Sequence, residues 1–335
     1  MTEEGTGATT QAQVSRRPNN LLRPAEQLPI QRPPKVLIGI PAFNEESRIG
    51  KCLDSILAQS TAEFAALEIL VVASGCTDNT RAVVESRMNS GLPLGLIDEK
   101  ERTGKSHALS LLLSRLNNSD FDYLIVISAD SVPAENALRH LIDFAVRTGS
   151  SLSCGSPSIT RAERSSVRNG IAAFLWSLHN AYLAHSPYAA PHCCDELMCI
   201  KRGFVTQIPE YTINDGSYLR LAANRAGVKV GYCEDARVYV AVPSTGKELL
   251  EQRARVLLGH VYQIRKERAI PSVLEGRLLS NPLYVLRVIS AANRKGVKLS
   301  YLFIAGIFEF VSYFYMFCKI FTDRTPWLWR KVSTE

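Results

Sequence analysis

The chain has 335 residues, of which 46% are hydrophobic and 21% are charged, values ordinary for a globular protein with one large α/β domain or two smaller ones. Its net charge of +7 favours anionic partners such as a membrane surface or phosphorylated substrates. No basic run with interleaved aromatic residues occurs, so nucleic acid is not an expected partner. Eight cysteines without a CxxC pair, and no signal peptide in residues 1–34, predict free thiols in a reducing, cytosolic compartment.

The first half of the chain alternates strands with helices. Residues 1–34 are rich in Thr, Gln, Pro, Arg and Asn and are expected to form a disordered arm, so that order begins at Lys35. Hydrophobic patterning then predicts strands at 35–40, 67–72, 94–99 and 122–128, and helices at 46–60, from 77 or 78, at 104–116 and at 134–147. Four such repeats predict a parallel sheet with helices on both faces, whose ligands bind at the carboxyl ends of the strands.

The second half is less regular. Helices are predicted at 171–184, 216–226 and 247–268, and strands at 196–202 and 236–242. The stretch 299–318 is apolar except for Glu309 and two serines, and it is long enough to cross a bilayer. A single span, a helix in the plane of the membrane and a buried helix all remain open. Basic and aromatic residues flank the stretch as interfacial anchors would: Arg294, Lys295, Lys298, Lys319, Trp327 and Trp329.

Polar motifs follow three of the predicted strands. "PAFNEE" (41–46) ends the first strand, and "VVASGCTDNT" (71–80) forms a small-residue turn suited to close approach by a nucleotide. Asp130 in "SADSVP" follows the fourth strand, where one or two acids are enough to hold Mg²⁺ or Mn²⁺ on a diphosphate. The alternative is that Asp130 caps the helix at 134. "HCCDELMC" (192–199) lacks the ligand spacing of a zinc site and is expected to contain buried thiols.

Three further positions carry charge near predicted helices. Lys105 opens a helix after a turn glycine, but the surrounding sequence is not a P-loop. Asp215 precedes the helix at 216–226, where capping is the simplest role. Gln252 and Arg255 are three residues apart on one helix and therefore lie on one face of it. They either contact the same anion or form the solvated side of the helix.

Taken together, the order "PAFNEE … ASGCTDNT … GKSHAL … SAD … NDGSYL … QRARV" resembles the family 2 glycosyltransferases of the GT-A fold, in particular the branch with a QxxRW element. The resemblance covers about residues 35–260. It implies an α/β fold with a Rossmann-like, mixed but mostly parallel sheet flanked by helices. The amphipathic pattern at 247–268 and the apolar stretch at 299–318 add C-terminal amphipathic and membrane-associating helices to this expectation. It also implies an inverting, Mg²⁺- or Mn²⁺-dependent transfer from a UDP- or GDP-sugar to an acceptor hydroxyl. With the free thiols and the apolar stretch, the expected location is the cytoplasmic side of a membrane, and the expected acceptor is a lipid-linked or cell-surface glycan.

The same resemblance assigns roles to residues of this chain. Asp215 stands at the position of the catalytic base and Asp130 at that of the metal-binding acid. The residues expected to hold the donor nucleotide and its diphosphate are Pro41, Asn44, Glu45, Ser74, Asp78, Lys105, Gln252 and Arg255. The expected organisation is an arm at 1–34, a catalytic domain at 35–268 with halves 35–149 and 150–268, and a helical membrane-associating region at 269–335.

The chain departs from the family pattern at several positions. Ala73 and Ser74 replace two acids, Ser128 replaces the first acid of the DxD element, and Val256 replaces the tryptophan of QxxRW. These changes motivate a second hypothesis, a non-catalytic relative that binds a sugar nucleotide or scaffolds other enzymes. A third, a sugar nucleotidyltransferase, requires a Gly-rich, Arg-containing loop after the first strand, where this chain has "PAFNEE".

Overall fold

The computed structural model describes residues 32–59, 64–88, 93–159, 166–185, 193–271, 274, 277, 280–294 and 300–322. The predicted arm at 1–34 lies almost wholly outside these ranges, as do His192, Lys295, Lys298, Trp327 and Trp329.

Strands and helices alternate through the first half, as predicted. The strands are β1 (Lys35–Ala42), β2 (Ala66–Ser74), β3 (Leu94–Glu99), β4 (Tyr123–Ile127), β5 (Ser131–Pro133), β6 (Leu152–Ser158), β7 (Leu197–Lys201) and β8 (Val230–Val240). The helices are α1 (Ile49–Leu57), α2 (Thr80–Met88), α3 (Lys105–Asn117), α4 (Ala137–Thr148), α5 (Val167–His185), α6 (Asp215–Ala226), α7 (Gly246–Glu267), α8 (Pro282–Arg294) and α9 (Ser300–Thr322).

All eight strands form one mixed sheet in the order β3-β2-β1-β4-β7-β6-β8-β5. β1 to β4 run parallel, whereas β7 runs antiparallel to both β4 and β6. The patterning did not predict β5 or β6. The sequence of β6, "LSCGSPS", is rich in serine and contains glycine and proline, which local propensity disfavours in strands.

The core lies around the central strands. β4 is fully buried because helices cover both faces of the sheet, and β1 is buried from Val36 to Ile40. Helix α3 packs on this region through Leu109, Leu112 and Leu113. The rigid centre fixes where β1, β2 and β4 end, and the polar motifs follow at those ends.

A smaller layer of helices lies beyond the sheet. Helix α9 packs along α7 and α5, and α8 packs on α5. Helix α9 buries Ala305, Ser312 and Met316 against this layer and leaves its opposite side exposed.

Candidate active site

Hydrogen bonds tie the loops after β1 and β2 together. The backbone N–H of Thr77 donates to Asn44 Oδ1 at 2.7 Å, and Asn44 Nδ2 donates to Thr77 Oγ1 at 3.1 Å. Glu46 Oε2 accepts from both the backbone and the side chain of Asn79, at 2.9 and 3.0 Å. Asp78 in turn accepts from the backbone N–H of Glu46 at 3.1 Å. Asn44 and Asp78, predicted to bind the nucleoside, therefore hold the two loops in a fixed relation.

Asn44 also has a conformation that depends on its residue type. Its φ of 55° lies in the left-handed region, which asparagine tolerates better than most residues. Its neighbour Glu45 donates its backbone N–H to Thr80 Oγ1 at 2.7 Å, and the Glu45 carbonyl accepts from Ile49 at the start of α1. Pro41 lies one residue before the end of β1 and pairs with Val72.

The turn after β2 packs against the segment that precedes α3. Ser74 is buried, and its Oγ lies 3.0 Å from Thr103 Oγ1. Gly75 has a φ of +62°, and a Cβ there would lie 2.5 Å from the Arg102 backbone nitrogen, so only glycine fits. The Arg102 guanidinium stacks on the Phe43 ring at 3.8 Å. This segment thus places a cation beside the two loops.

Asp130 follows β4 in a turn and does not cap α4. Strand β5 intervenes, α4 begins at Ala137, and the position before the helix is occupied by Asn136. The capping alternative for Asp130 is therefore wrong. Its charge acts on Arg255 of α7, which shows that the end of β4 and α7 face the same space.

Asp215 is the first residue of α6 and is almost completely buried, with 1% exposure. The capping role belongs to Asn214, whose side chain accepts from the backbone N–H of Ser217 at 3.1 Å. Asp215 is thus not needed as the cap. Its Oδ1 lies 3.4 Å from Ser106 Oγ, and its Oδ2 lies 3.4 Å from Lys105 Nζ.

These contacts only partly compensate for the burial of Asp215. Oδ2 forms the ion pair with Lys105 but receives no hydrogen bond of good geometry from the described residues. Burial raises the pKa of Asp215 to about 6, with Lys105 opposing the shift and Asp195 adding to it. A carboxyl group of this pKa is ionised at neutral pH yet basic enough to accept a proton, as general-base catalysis requires.

Lys105 lies among several carboxylates. Burial lowers its pKa, but the charges of Asp195, Asp215 and Glu196 outweigh burial and leave the pKa above its ordinary value. Lys105 therefore remains protonated and stabilises the ionised form of Asp215.

Two acids of this site, Asp195 and Glu196, were missed in the sequence. They lie directly before β7, in the "HCCDELMC" stretch that was assigned to buried thiols, and its described cysteines, Cys193, Cys194 and Cys199, are indeed buried. Asp195 Oδ1 accepts from the backbone N–H of Gly216 at 2.7 Å. The signal that would have revealed them is two adjacent acids at the start of a buried strand, a position that offers little solvation.

Arg255 lies close to these acids. Burial lowers its pKa to about 10, against the charges of Asp195, Asp130 and Asp215, so the guanidinium stays charged at neutral pH. Gln252 lies three residues earlier on α7 and is half-buried. The structure thus brings together Lys105, Arg255 and four carboxylates from distant parts of the chain. These carboxylates, which we call the acid cluster, are Asp130, Asp195, Glu196 and Asp215.

The acid cluster fits a divalent cation held jointly with a diphosphate. Its four carboxylates outnumber Lys105, Arg255 and the nearby Arg102, and Glu196 Oε2 is buried without a hydrogen-bond partner among the described residues. No group of three or more His, Cys, Asp or Glu side chains within the described ranges forms a complete metal site. A cation there therefore needs ligands from the substrate, as is usual for Mg²⁺ on phosphates.

The comparisons with known proteins agree with this architecture. The family model for glycosyl transferase family 2 matches residues 37–206. A mannosyltransferase, PcManGT from Pyrobaculum calidifontis, solved in complex with GDP-Man and Mn²⁺, is 21% identical with a TM-score of 0.60 over 88% of this chain and 89% of its own. Glucosyl-3-phosphoglycerate synthase from Mycobacterium tuberculosis is 18% identical, with a TM-score of 0.44 over 69% and 79% of the two chains. The search of curated protein sequences gave no match.

The sheet order, the flanking helices and the similarity to PcManGT confirm the predicted GT-A fold. The matched segment makes up half of the chain and contains "PAFNEE", "ASGCTDNT" and Asp130. The chain belongs to glycosyl transferase family 2 and is a glycosyltransferase.

Proposed function

We propose that this glycosyltransferase is metal-dependent and inverting, and that it moves a sugar from a UDP- or GDP-sugar to an acceptor hydroxyl. The observation that carries the proposal is Asp215, a buried carboxylate that is not needed as the helix cap and that lies against Lys105. The complex of PcManGT with GDP-Man and Mn²⁺ supports this class of donor and cofactor.

Each residue has a distinct part in this proposal. Asp215 accepts the proton of the acceptor hydroxyl, and Lys105 keeps it ionised and oriented. Arg255 binds the negative charge that develops on the leaving diphosphate. Asp130 would hold the cation, which when bound neutralises the diphosphate. We propose that the base acts on the acceptor while Arg255 and the cation hold the leaving group, which corresponds to direct displacement and hence inversion.

The loops after β1 and β2 form the donor side. Because Asn44, Glu46 and Asp78 bond to the opposite loop, we propose that they shape the nucleoside site. Pro41, Glu45 and Ser74 lie at the same strand ends and are proposed to line that site, with Gln252 beside Arg255 at the diphosphate.

We also propose that α9 lies in the plane of a membrane, on the cytoplasmic side, and places the active site near a lipid-linked or cell-surface glycan acceptor. Tyr301–Phe321 is the one helix among the described residues long and apolar enough to cross a bilayer, but only 17% of its most apolar window is buried. Its exposed residues carry no charge, and they include Phe303, Ile307, Phe310, Phe314, Phe317 and Phe321. An uncharged face this aromatic matches a lipid interface.

The opposite side of α9 favours the in-plane arrangement over a span. Arg253 of α7 donates to Glu309 Oε1 at 2.6 Å, and Tyr315 OH donates to Glu251 Oε1 at 3.0 Å. A spanning helix would have to break both contacts and expose Glu309 to lipid, which costs several kcal/mol. The region after 268 is thus proposed as a membrane-associating unit that packs on the catalytic domain at 35–268.

The catalytic proposal is tested by incubating the full-length protein with a panel of UDP- and GDP-sugars, with and without Mn²⁺. Donor hydrolysis or transfer is expected only with the metal, and NMR of the product is expected to show an inverted anomeric centre. Asp130→Asn is expected to remove metal-dependent donor binding while the protein stays folded. Donor turnover that is indifferent to metal, or a retained anomer, would contradict the proposal.

The membrane proposal is tested with liposomes. The double variant Phe310→Ser/Phe314→Ser is expected to lose liposome binding, whereas Leu283→Ser on α8, also exposed, is the matched control for removal of an apolar side chain. Sedimentation velocity in the absence of lipid tests the alternative that the exposed face of α9 mediates dimerisation. A concentration-dependent dimer that the Phe310→Ser/Phe314→Ser variant abolishes, with no liposome binding by the wild type, would refute the membrane assignment.

A further inference from the structure

Strand pairing places Glu196 opposite the position of the missing acid. β4 and β7 are antiparallel with Ile127 paired to Leu197, so the register sets Ser128 opposite Glu196. The backbone N–H of Ser128 donates to the Glu196 carbonyl at 3.2 Å, which continues the ladder by one residue. Directly opposite residues project from the same face of a sheet with Cβ atoms about 5 Å apart. The Glu196 side chain therefore projects into the space that an acid at position 128 would use.

One oxygen of the Glu196 carboxylate, Oε2, is buried and accepts no hydrogen bond from the described residues. The charge of Glu196 interacts with those of Asp195, Lys105 and Asp130, so it lies between the end of β4 and the start of α3. A buried acceptor without a partner is destabilising, and a bound cation would satisfy it.

Neighbouring contacts hold Glu196 in place. Ser128 Oγ donates to the Asp195 carbonyl at 3.2 Å, and Asp195 Oδ1 accepts from Gly216 at the start of α6. A Cβ on Gly216 would lie 2.3 Å from that same oxygen, so the fit admits only glycine. The segment that carries Glu196 is therefore fixed between β4 and the helix that begins with Asp215.

We propose that Glu196 is a second protein ligand of the divalent cation and replaces, from the neighbouring strand, the acid that Ser128 lacks. The inference rests on the proposed metal dependence and adds a residue to it. With Asp130 it gives the cation two carboxylates, the number commonly found for Mg²⁺ bound to phosphates. Remaining ligands come from the diphosphate and water.

The test measures Mn²⁺ binding to the full-length protein by electron paramagnetic resonance, with inorganic pyrophosphate as a diphosphate that has neither base nor ribose. Glu196→Gln is expected to weaken binding by about 10–100-fold, a loss of the size that disruption of a metal site causes. Asp143→Asn removes an equal charge at an exposed position on α4, outside the acid cluster, so it is expected to weaken binding by less than about threefold.

A second experiment moves the carboxylate from position 196 to position 128. The double variant Ser128→Asp/Glu196→Gln returns the acid to β4 and is expected to recover most of the Mn²⁺ affinity. Equal affinity in wild type and Glu196→Gln, or equal losses in Glu196→Gln and Asp143→Asn, would overturn the role of Glu196 and leave the proposed function intact. A wild-type protein that binds no Mn²⁺ with pyrophosphate would overturn both. Circular dichroism of each variant excludes unfolding as the cause.

Discussion

The loops after β1 and β2, which we call the donor loops because we propose that they bind the donor, lie at the same edge of the sheet as the acid cluster. The two regions satisfy their polar groups differently. In the donor loops, Asn44, Glu46 and Asp78 each accept hydrogen bonds from the opposite loop at 2.7–3.1 Å. In the acid cluster, Asp215 and Glu196 keep buried oxygens without a hydrogen-bond partner among the described residues. The first arrangement stabilises the fold, whereas the second costs stability.

This difference indicates that the side-chain hydrogen bonds of the loops are structural, whereas the acid cluster is functional. Folded proteins hydrogen-bond nearly all buried polar atoms, so two buried carboxylate oxygens at one sheet edge without a well-aligned hydrogen bond from the described part of the chain require a reason. Burial raises the pKa of Asp215 to about 6 and that of Glu196 to about 7, and in both cases Asp195 adds to the shift. Perturbed acids of this kind mark functional sites because their reactivity depends on the same incomplete solvation.

The largest expected effect on stability comes from removing the positive charge of Lys105 inside the acid cluster. Lys105→Met leaves Asp215 and its neighbours without their buried partner, which typically costs about 3–5 kcal/mol of unfolding free energy. Urea denaturation measures the loss. Lys247→Met, at an exposed lysine on α7, is the control and is expected to change stability by less than about 0.5 kcal/mol. Equal stability of the two variants would show that the acid cluster does not depend on Lys105.

The pH dependence of transfer follows from the raised pKa of Asp215. The base is active when ionised, so kcat/KM is expected to fall about tenfold per pH unit below pH 6 and to level off above it. An unperturbed aspartate would place this limb near pH 4. The profile is measured with saturating metal and a subsaturating donor. A rate that stays constant down to pH 5 would exclude Asp215 as the titrating base.

The smallest effect is expected in the donor loops. Two substitutions of Asn44 distinguish the contribution of its side-chain hydrogen bonds from that of its left-handed backbone conformation. Asn44→Ala loses both bonds to Thr77 and strains a φ of 55°, for a combined cost of about 2–3 kcal/mol. Asn44→Gly loses the same bonds without the strain, so its cost is expected to be about 1 kcal/mol smaller. Urea denaturation gives both values. Equal losses would mean that the left-handed conformation does not matter.

Much of the fold could be predicted from the sequence because hydrophobic patterning dominates its first half. The strands at 35–42 and 123–127 and the helix at 105–117 are continuous or periodic apolar segments, and they form where predicted. β6 was missed because "LSCGSPS" owes its conformation to pairing with β7 and β8 and has little intrinsic strand preference.

Residues of the candidate site could be proposed from the sequence only where they belong to a recognisable motif. Asp130 and Asp215 could be placed because their positions match a known pattern, although the choice between capping and chemistry needed Asn136 and Asn214 to be located. Asp195 and Glu196 could not be found in this way, since antiparallel pairing of β4 and β7 brings them to the end of β4, although Asp195 is 67 residues from Ser128 in sequence. The register between β4 and β7 cannot be predicted from the local sequence of either strand.

The central claim is that Asp215 is the general base and that its burial reduces stability. The most direct test measures transfer rate and unfolding free energy together for Asp215→Asn. Transfer is expected to fall at least about a hundredfold. At pH 8, above the folded pKa of about 6, the ionised carboxylate is destabilising, so Asn is expected to raise stability by up to about 3 kcal/mol. The gain should vanish near pH 4, where the carboxyl is protonated in the folded protein. Turnover close to wild type, or a stability loss at pH 8, would contradict the account.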